Sequence, residues 1–247
     1  MRVVTQSISE FTLFIFGLFE SVVITRPRLL DVLNSTERVL SIGWRPVVIV
    51  SIPIGMTFAL NFDSLLGLVG LRSFAASGLV PAIVREAGPL FAGVVAAATV
   101  GAAFASDIGA RKVRDEIAGS EVMSVDPRSR LYLPRIVGSM LGLPVLSIFA
   151  TISALIGGWI LIVILRSGSG GQYLAGFDAV LRVDDMIALL IKSVLYGLIV
   201  GISACYCGSR AAGGPSGVAN ATRKSIIASF TVIALADFIV NQFFYAP

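Results

Sequence analysis

The stretch 85–135, REAGPLFAGVVAAATVGAAFASDIGARKVRDEIAGSEVMSVDPRSRLYLPR, places a small-residue apolar segment directly before a dense block of charge. A second apolar segment begins as soon as the charged block ends. This order of residues is unusual in a soluble domain. It is typical of a membrane protein in which a charged connection between two spans faces the cytoplasm.

The composition of the whole chain favours the same class. Of its 247 residues, 56% are hydrophobic and only 14% are charged, and the mean hydropathy is +0.90. Soluble domains carry about 25% charged residues, so this chain has too little charge to cover a water-facing surface. Its apolar runs are continuous, as transmembrane helices of about 20 residues require, whereas barrel strands alternate over about 10 residues.

We predict an all-α membrane fold with an N-terminal interfacial segment, residues 1–45, and a five-span domain, residues 46–247. The segment 1–45 mixes arginines with leucines and valines, which favours one or two amphipathic helices in the interface over a disordered tail. The predicted spans are 46–68, 80–108, 131–165, 186–207 and 224–245. A polar connection at 166–185 and a glycine-rich loop at 208–217 separate the later spans.

The distribution of basic residues predicts the orientation. With the N-terminus inside, 14 of the 19 Lys and Arg residues fall in cytoplasmic segments. Because such residues concentrate on the cytoplasmic side, we expect a cytoplasmic N-terminus. An odd number of spans then puts the C-terminus on the periplasmic or extracellular face of the plasma (inner) membrane.

The charged block between the second and third spans, about 107–126, is predicted to be a short cytoplasmic helix. Opposite charges recur at a spacing of four residues, in the pairs Asp107–Arg111, Arg111–Asp115 and Lys112–Glu116, and such pairs stabilise a helix surface. Gly119 is expected to interrupt the helix, and Asp126-Pro127 to end it. A solvated loop is the alternative, but the mixture of acids and bases favours docking to a partner. The candidate docking residues are Arg111, Lys112, Arg114, Asp115, Glu116 and Glu121.

Ionisable residues within the spans are the next candidates, because burying charge in a membrane is costly. Arg85 and Glu86 stand near Pro89 at the outer end of the second span, either as an interfacial ion pair or as part of a gate or substrate path. Lys192 and Asp237 each look isolated within a span.

Glycines mark two further features of the sequence. Small residues at a spacing of four let helices approach closely, within one chain or at a subunit interface. The candidate positions are Gly93, Gly101, Gly138, Gly142, Gly197 and Gly201. The glycine-rich loop, predicted to be cytoplasmic, lacks the Gly-Lys-Ser/Thr sequence of a phosphate-binding loop. It contains Gly213, Gly214, Pro215 and Gly217.

Little in the sequence supports an enzyme. The chain has no His, and its two cysteines, Cys205 and Cys207, cannot by themselves build a zinc site. We predict packing roles for these cysteines, and neither a catalytic residue nor a metal site in this chain. An intramembrane lipid-modifying enzyme and a secondary transporter remain as alternative functions, although no internal repeat is evident.

Two blocks of the sequence resemble a known family. The stretch 85–135 is similar to the central signature of the MlaE/YrbE permeases. KSVLYGLIVGISACYCGSRAAGGPSGVANATRKSIIASF at 192–230 resembles the C-terminal signature of the same family. The two blocks cover a little over a third of the chain. Their residue sequences are more similar to the YrbE branch than to the MlaE branch.

The resemblance implies a permease subunit of an ABC transporter that moves lipids and works with MCE-domain proteins, with import as the implied direction. It implies two permease chains, commonly a heterodimer, and two cytoplasmic ATPase subunits, which would carry the ATP and Mg²⁺. The charged helix would be the coupling helix that contacts the ATPase. The chain departs from the family pattern at Ala118-Gly119-Ser120, where an acidic residue is usual, and at Val218-Ala219, where a second glycine is common. No nucleic-acid partner is expected.

Overall fold

The computed structural model describes residues 12–18, 28–68, 70–71, 74–123, 126–166, 170–180 and 182–245. These residues form helices and connections and contain no strand. Residues 12–18 are helical. The later helices are α1 (Leu29–Leu68), α2 (Ala75–Val113), α3 (Glu116–Val122), α4 (Arg128–Leu165), α5 (Gly170–Val180), α6 (Val183–Gly208) and α7 (Pro215–Tyr245).

Among the described residues, five helices are long and apolar enough to cross a membrane, namely α1, α2, α4, α6 and α7. This confirms the predicted all-α, five-span fold with helical structure near the N-terminus. Large apolar side chains lie on the protein surface, including Phe238 at 70% exposure and Leu235 at 60%. Such exposure would be costly in water but is what a lipid-facing helix requires.

The described residues divide into two compact units. The first unit contains the residues up to Val39, Ala97–Gly142 and Gly197–Val232. Its core includes Ile108, Ile136 and the fully buried Cys205. Phe14, in the helical segment 12–18, packs with ring centroids 5.9 Å from Tyr132 and 5.5 Å from Tyr206. The N-terminal helix is therefore part of the packed first unit.

The second unit contains Leu40–Ala96, Leu143–Tyr196 and the residues from Ile233. Its core includes Leu79, Ile83 and Tyr173. Helices approach closely at Gly55, where an added Cβ would lie 1.9 Å from the carbonyl oxygen of Ala154. Only glycine fits such a backbone contact.

Helix α5 lies within the predicted polar connection 166–185, which is therefore not irregular throughout. Tertiary packing explains the helix: the Tyr173 hydroxyl donates to the Leu155 carbonyl at 2.8 Å, and Gly176 lies against the backbone of Ala76. These contacts join α5 to α4 and α2, and no local sequence pattern could have predicted them.

Two predicted boundaries fall inside helices. Helix α1 runs without a break through the boundary at residues 45 and 46, with Pro46 and Pro53 in its interior. An interfacial position for residues 29–45 stays a prediction. Helix α7 begins at Pro215, nine residues before the predicted span, because proline is well suited to the first helical position.

Candidate functional site

A buried network of charged and polar side chains lies in the second unit and connects α2, α6 and α7. At its centre is Lys192 of α6, whose side chain is fully buried. Its Nζ lies 3.1 Å from Glu86 Oε2 and 3.2 Å from Asp237 Oδ1. The same Nζ donates to the Arg85 carbonyl at 2.8 Å and to Asn241 Oδ1 at 2.6 Å. The ammonium group is thus surrounded by acceptors, as burial of a charge demands.

The carboxylates of this network have further donors. The Tyr196 hydroxyl donates to Asp237, and the Asn241 amide nitrogen donates to Asp237 Oδ2 at 3.2 Å. That amide nitrogen also lies 2.9 Å and 2.8 Å from the two carboxylate oxygens of Glu86. Side chains from three helices therefore satisfy one another's hydrogen bonds, and the two carboxylates share the single ammonium group of Lys192.

An ion pair at the adjacent residue extends this charged region. Arg85 makes a two-pronged contact with Asp185 at the start of α6, with Nε–Oδ1 and Nη2–Oδ2 distances of 2.7 Å and 3.1 Å. Arg85 and Glu86 both lie in a π-helical turn, Ile83–Ala87. Such turns occur often at functional sites. Here both charged side chains of the turn face α6.

Accessibility within the network is concentrated at Glu86. Its side chain is 40% exposed, whereas Asp237 is 9% exposed and Lys192 fully buried. Pro89, the third candidate for a gate or substrate path, is itself buried. The arrangement can hold three helices together and can present one carboxylate to a ligand. A gate or substrate role for Arg85, Glu86 and Pro89 stays a prediction.

The expectation that Lys192 and Asp237 are isolated is wrong. The two residues are 45 positions apart in the chain, yet their side chains form an ion pair. Ionisable residues in separate spans commonly pair with one another, so the opposite charges of these two residues could have predicted the ion pair. Tyr196 and Asn241 were missed because a hydroxyl or an amide within a span is too common to stand out. Among the described residues, no three acidic or thiol groups are arranged to hold a metal ion.

A second charged region lies in the first unit, at the C-terminal end of α2. Asp107 accepts from Arg111 at 3.5 Å, as the spacing of four residues predicts. It also pairs with Arg38 of α1 at 3.3 Å and with Arg135 of α4. The two other predicted pairs, Arg111–Asp115 and Lys112–Glu116, do not form in the structure. Asp107 therefore joins helices as well as stabilising its own.

The predicted docking segment is two helices rather than one. Helix α2 extends through Arg111 and Lys112 to Val113, and α3 begins at Glu116. The break lies at Asp115, whose φ of 57° is in the left-handed region that ends helices. Gly119 does not interrupt the segment as expected, because it lies within α3 with open space around it.

Exposed side chains surround this break. Glu116 lies 2.7 Å from Arg114 Nε and 3.9 Å from Arg111 Nη1, and the three side chains are 42–61% exposed. Val122 and Met123 beyond them are 87% and 73% exposed. Exposed charged side chains and exposed apolar side chains thus follow one another along the chain from Arg111 to Met123. Whether this segment docks an ATPase stays a prediction.

The remaining glycine candidates have defined surroundings. Gly213 and Gly214 have φ values of +84° and +75°, so the loop depends on glycine there. Pro215 and Gly217 are not in the loop but begin α7, with Gly217 against the Ala212 carbonyl. A cytoplasmic position for the loop stays a prediction.

The predicted packing glycines mostly face other helices of the same chain. Gly93 lies against Tyr196, Gly142 against Val39, and Gly201 against Ile136. Gly138 lies against Ser35, and Gly197 lies against the backbone of Ser139. Gly101 is buried in the π-helical turn Ala97–Gly101. These contacts support packing within the chain; a subunit interface at these glycines stays a prediction.

Comparison with known proteins identifies the family. The model of the family described as "Permease MlaE" matches residues 32–243. A Rickettsia conorii protein named "Probable ABC transporter permease protein" is 28% identical over 97% of this chain and 93% of its own length. A Synechocystis protein of the same description is 26% identical over 84% of this chain and 80% of its own.

A plant protein is also similar. The chloroplastic protein TRIGALACTOSYLDIACYLGLYCEROL 1 of Arabidopsis thaliana is 28% identical over 78% of this chain and 55% of its own length. The family match covers both the buried network and the charged end of α2. With its five membrane-spanning helices, the chain belongs to the MlaE permease family.

Proposed function

We propose that this chain is the membrane-spanning permease subunit of an ABC-type lipid transporter that works with MCE proteins and is driven by separate ATPase subunits. The chain itself carries no catalytic residue in this proposal. Two ATPase subunits supply ATP and Mg²⁺, and a second permease chain of the YrbE type completes a heterodimer. Lipid moves between the cell envelope and the inner membrane in the import direction.

The observation that carries the proposal is the exposed segment that joins α2 and α3. Helix α3 begins at Glu116, directly after the C-terminal end of the membrane-spanning helix α2 at Val113. The segment beyond the α2 end presents charged and apolar side chains together. An ATPase that grips α3 would therefore have a direct mechanical connection to a membrane-spanning helix.

Other observations support the finer parts of the proposal. The relatives from Rickettsia and Synechocystis carry ABC transporter permease in their names. The name of the Arabidopsis relative contains that of a galactolipid, trigalactosyldiacylglycerol, which supports a lipid substrate. The similarity of the sequence 192–230 to the YrbE branch favours a heterodimer, MCE-domain partners and transport in the import direction.

The experiment that tests the assembly is affinity purification of the tagged full-length chain from its native membrane, followed by identification of the bound proteins. We expect an ATPase, a second permease chain and MCE proteins in fixed ratio. Recovery of a folded chain with none of these partners would refute the proposal. Transport by the chain alone in proteoliposomes, without ATP, would instead support a secondary transporter that uses the Lys192 network.

The docking segment is tested by reversing the charge of Glu116 and Glu121 to Lys. We expect loss of ATPase binding and of ATP-dependent transport, with normal membrane insertion. A matched control is Asp184→Lys, which reverses an exposed acidic residue in the second unit. ATPase binding that survives the double reversal, or that falls equally in the control, would contradict the assigned contact.

The orientation is tested with single cysteines placed at Ser120 and Asp184 in a variant without the two native thiols. A membrane-impermeant thiol reagent applied to intact cells should label position 184 and should reach position 120 only after the cells are opened. The reverse pattern would contradict a cytoplasmic N-terminus.

A further inference from the structure

A cavity in the first unit is lined by an unusual number of arginines. Its volume is about 370 Å³, and its walls come from α1, α2 and α4 and the π-helical turn that opens α4. Arg38, Arg111, Arg130 and Arg135 line it, and the only acidic residue of the lining is Asp31. Pockets for small ligands usually measure about 300–1,000 Å³, so the space suits a small headgroup.

The arginines are held in place by groups that do not neutralise all of them. Asp107 contacts Arg38, Arg111 and Arg135. Counting Asp31, Asp107 and also Glu116, which lies 3.9 Å from Arg111, against the four guanidinium groups still leaves an excess of one positive charge. Arg135 is the fixed member, with 8% of its side chain exposed and a hydrogen bond to the Leu131 carbonyl at 3.2 Å. Planar guanidinium groups with such fixed geometry bind phosphate oxygens well.

An aromatic ring supports two of these cations. The ring of the fully buried Phe104 has its centroid 5.7 Å from the guanidinium carbon of Arg38 and 5.8 Å from that of Arg135. Cation–π contacts of this kind fix the guanidinium planes. Arg38 and Arg111 nevertheless keep 46% and 42% of their side chains exposed. The cavity therefore combines a buried arginine, Arg135, with accessible guanidinium donors on Arg38 and Arg111.

An exposed apolar residue lies close to the cavity on α1. Leu30 precedes the lining residue Asn34 by one helical turn and is 72% exposed. Residues four apart lie on the same stripe of a helix, so an apolar side chain borders the arginines on α1. A free phosphate would make no favourable contact with this apolar side chain, whereas a lipid places acyl chains beside its phosphate. Basic pockets between membrane helices commonly take anionic lipid headgroups.

We propose that this cavity binds the phosphate-bearing headgroup of an anionic membrane lipid, with Arg38, Arg111 and Arg130 as the ligating side chains. Arg135 is a positioning residue, because it is buried and its contacts are with Asp107 and the Phe104 ring. The site lies in the first unit, among residues other than those of the buried network around Lys192. It does not depend on transport or on an ATPase.

Native mass spectrometry of the delipidated full-length chain in detergent tests the site, with phosphatidylglycerol and phosphatidylcholine of identical acyl chains as probes. We expect clear preference for phosphatidylglycerol. Arg38→Gln/Arg130→Gln should weaken that binding about thirty-fold, equivalent to about 2 kcal/mol if each basic residue contributes about 1 kcal/mol. Arg130→Gln alone, at an exposed position, should weaken it about five-fold and keeps the test valid if the double variant folds poorly.

The matched control is Arg223→Gln, which removes an exposed positive charge of the first unit outside the cavity. It should leave phosphatidylglycerol binding unchanged. Equal binding of the two lipids, or equal loss in the control, would overturn the proposal. Displacement of the lipid by millimolar inorganic phosphate would overturn the lipid source and reassign the site to free phosphate. Loss of ATPase binding in the double variant, with lipid binding intact, would reassign the arginines to a protein contact.

Discussion

Replacing Lys192 with Met tests whether the buried network stabilises the membrane helices. The substitution keeps a long apolar side chain but removes the ammonium that contacts Glu86, Asp237 and Asn241. Asp237, with a side chain only 9% exposed, then loses its cationic partner. Glu86 loses less, because 40% of its side chain is exposed and it is therefore less completely desolvated. The cost should therefore come mainly from Asp237.

Removing one partner of a buried ion pair costs about 3–5 kcal/mol. For a chain of this size, each kcal/mol lowers Tm by about 2–4 °C, so Lys192→Met should lower Tm by about 6–20 °C. The assay is thermal unfolding of the purified full-length chain in one detergent. Lys224→Met is the matched control, because Lys224 is exposed and its loss should change stability by no more than about 0.5 kcal/mol.

A second substitution separates charge from packing. Asp237→Asn in the Lys192→Met background removes the orphaned charge and keeps an oxygen that can accept from Tyr196. We expect the double variant to regain about 2–3 kcal/mol relative to additivity. A Tm of Lys192→Met within 2 °C of the Lys224→Met control would refute the reasoning. An additive double variant would show that the cost comes from packing around the lysine stem.

Gly55→Ala should prevent stable folding, since the added Cβ would lie 1.9 Å from a backbone oxygen. Gly119→Ala should instead stabilise α3 by about 0.5–1 kcal/mol, because nothing lies within 4 Å of the added Cβ. Folded yield and Tm of the two variants are compared, and equal behaviour would contradict this expectation. Asp115→Val should cost about 1–2 kcal/mol because a β-branched residue tolerates the left-handed backbone poorly, and Asp115→Gly should be tolerated. Thermal unfolding measures the difference, and a stable Val variant would argue against the break at Asp115.

The five spans could be predicted because lipid imposes a length and a composition on each of them. Their ends could not, since hydropathy does not report where a helix continues beyond the apolar region. Helix α2 continues past Asp107 because that residue pairs with Arg38 and Arg135 from other helices. Likewise α5 depends on Tyr173 and Gly176, whose partners are distant in the chain.

The candidate site was also predictable only in part, because its contacts join residues that are distant in the chain. Charge within a span is costly, and Arg85 and Glu86 could therefore be predicted as candidates. Their partners Asp185 and Lys192 lie 100 and 106 residues away, so pairing depends on which helices are neighbours. The helix break at Asp115 was misplaced to Gly119 because glycine has the stronger general tendency to break helices. Ion pairs of Glu116 with Arg111 and Arg114 accompany the actual turn.

The small residues and the buried charges of the second unit are parts of one arrangement. Gly93 lets α2 approach α6 so closely that an added Cβ would lie 2.9 Å from the Tyr196 ring. That ring carries the hydroxyl that donates to Asp237, which in turn pairs with Lys192. Close approach also excludes lipid, so the charged groups meet one another rather than hydrocarbon. The glycine spacing that looked like a packing motif is therefore also a condition for placing ionised side chains within the membrane-spanning helices.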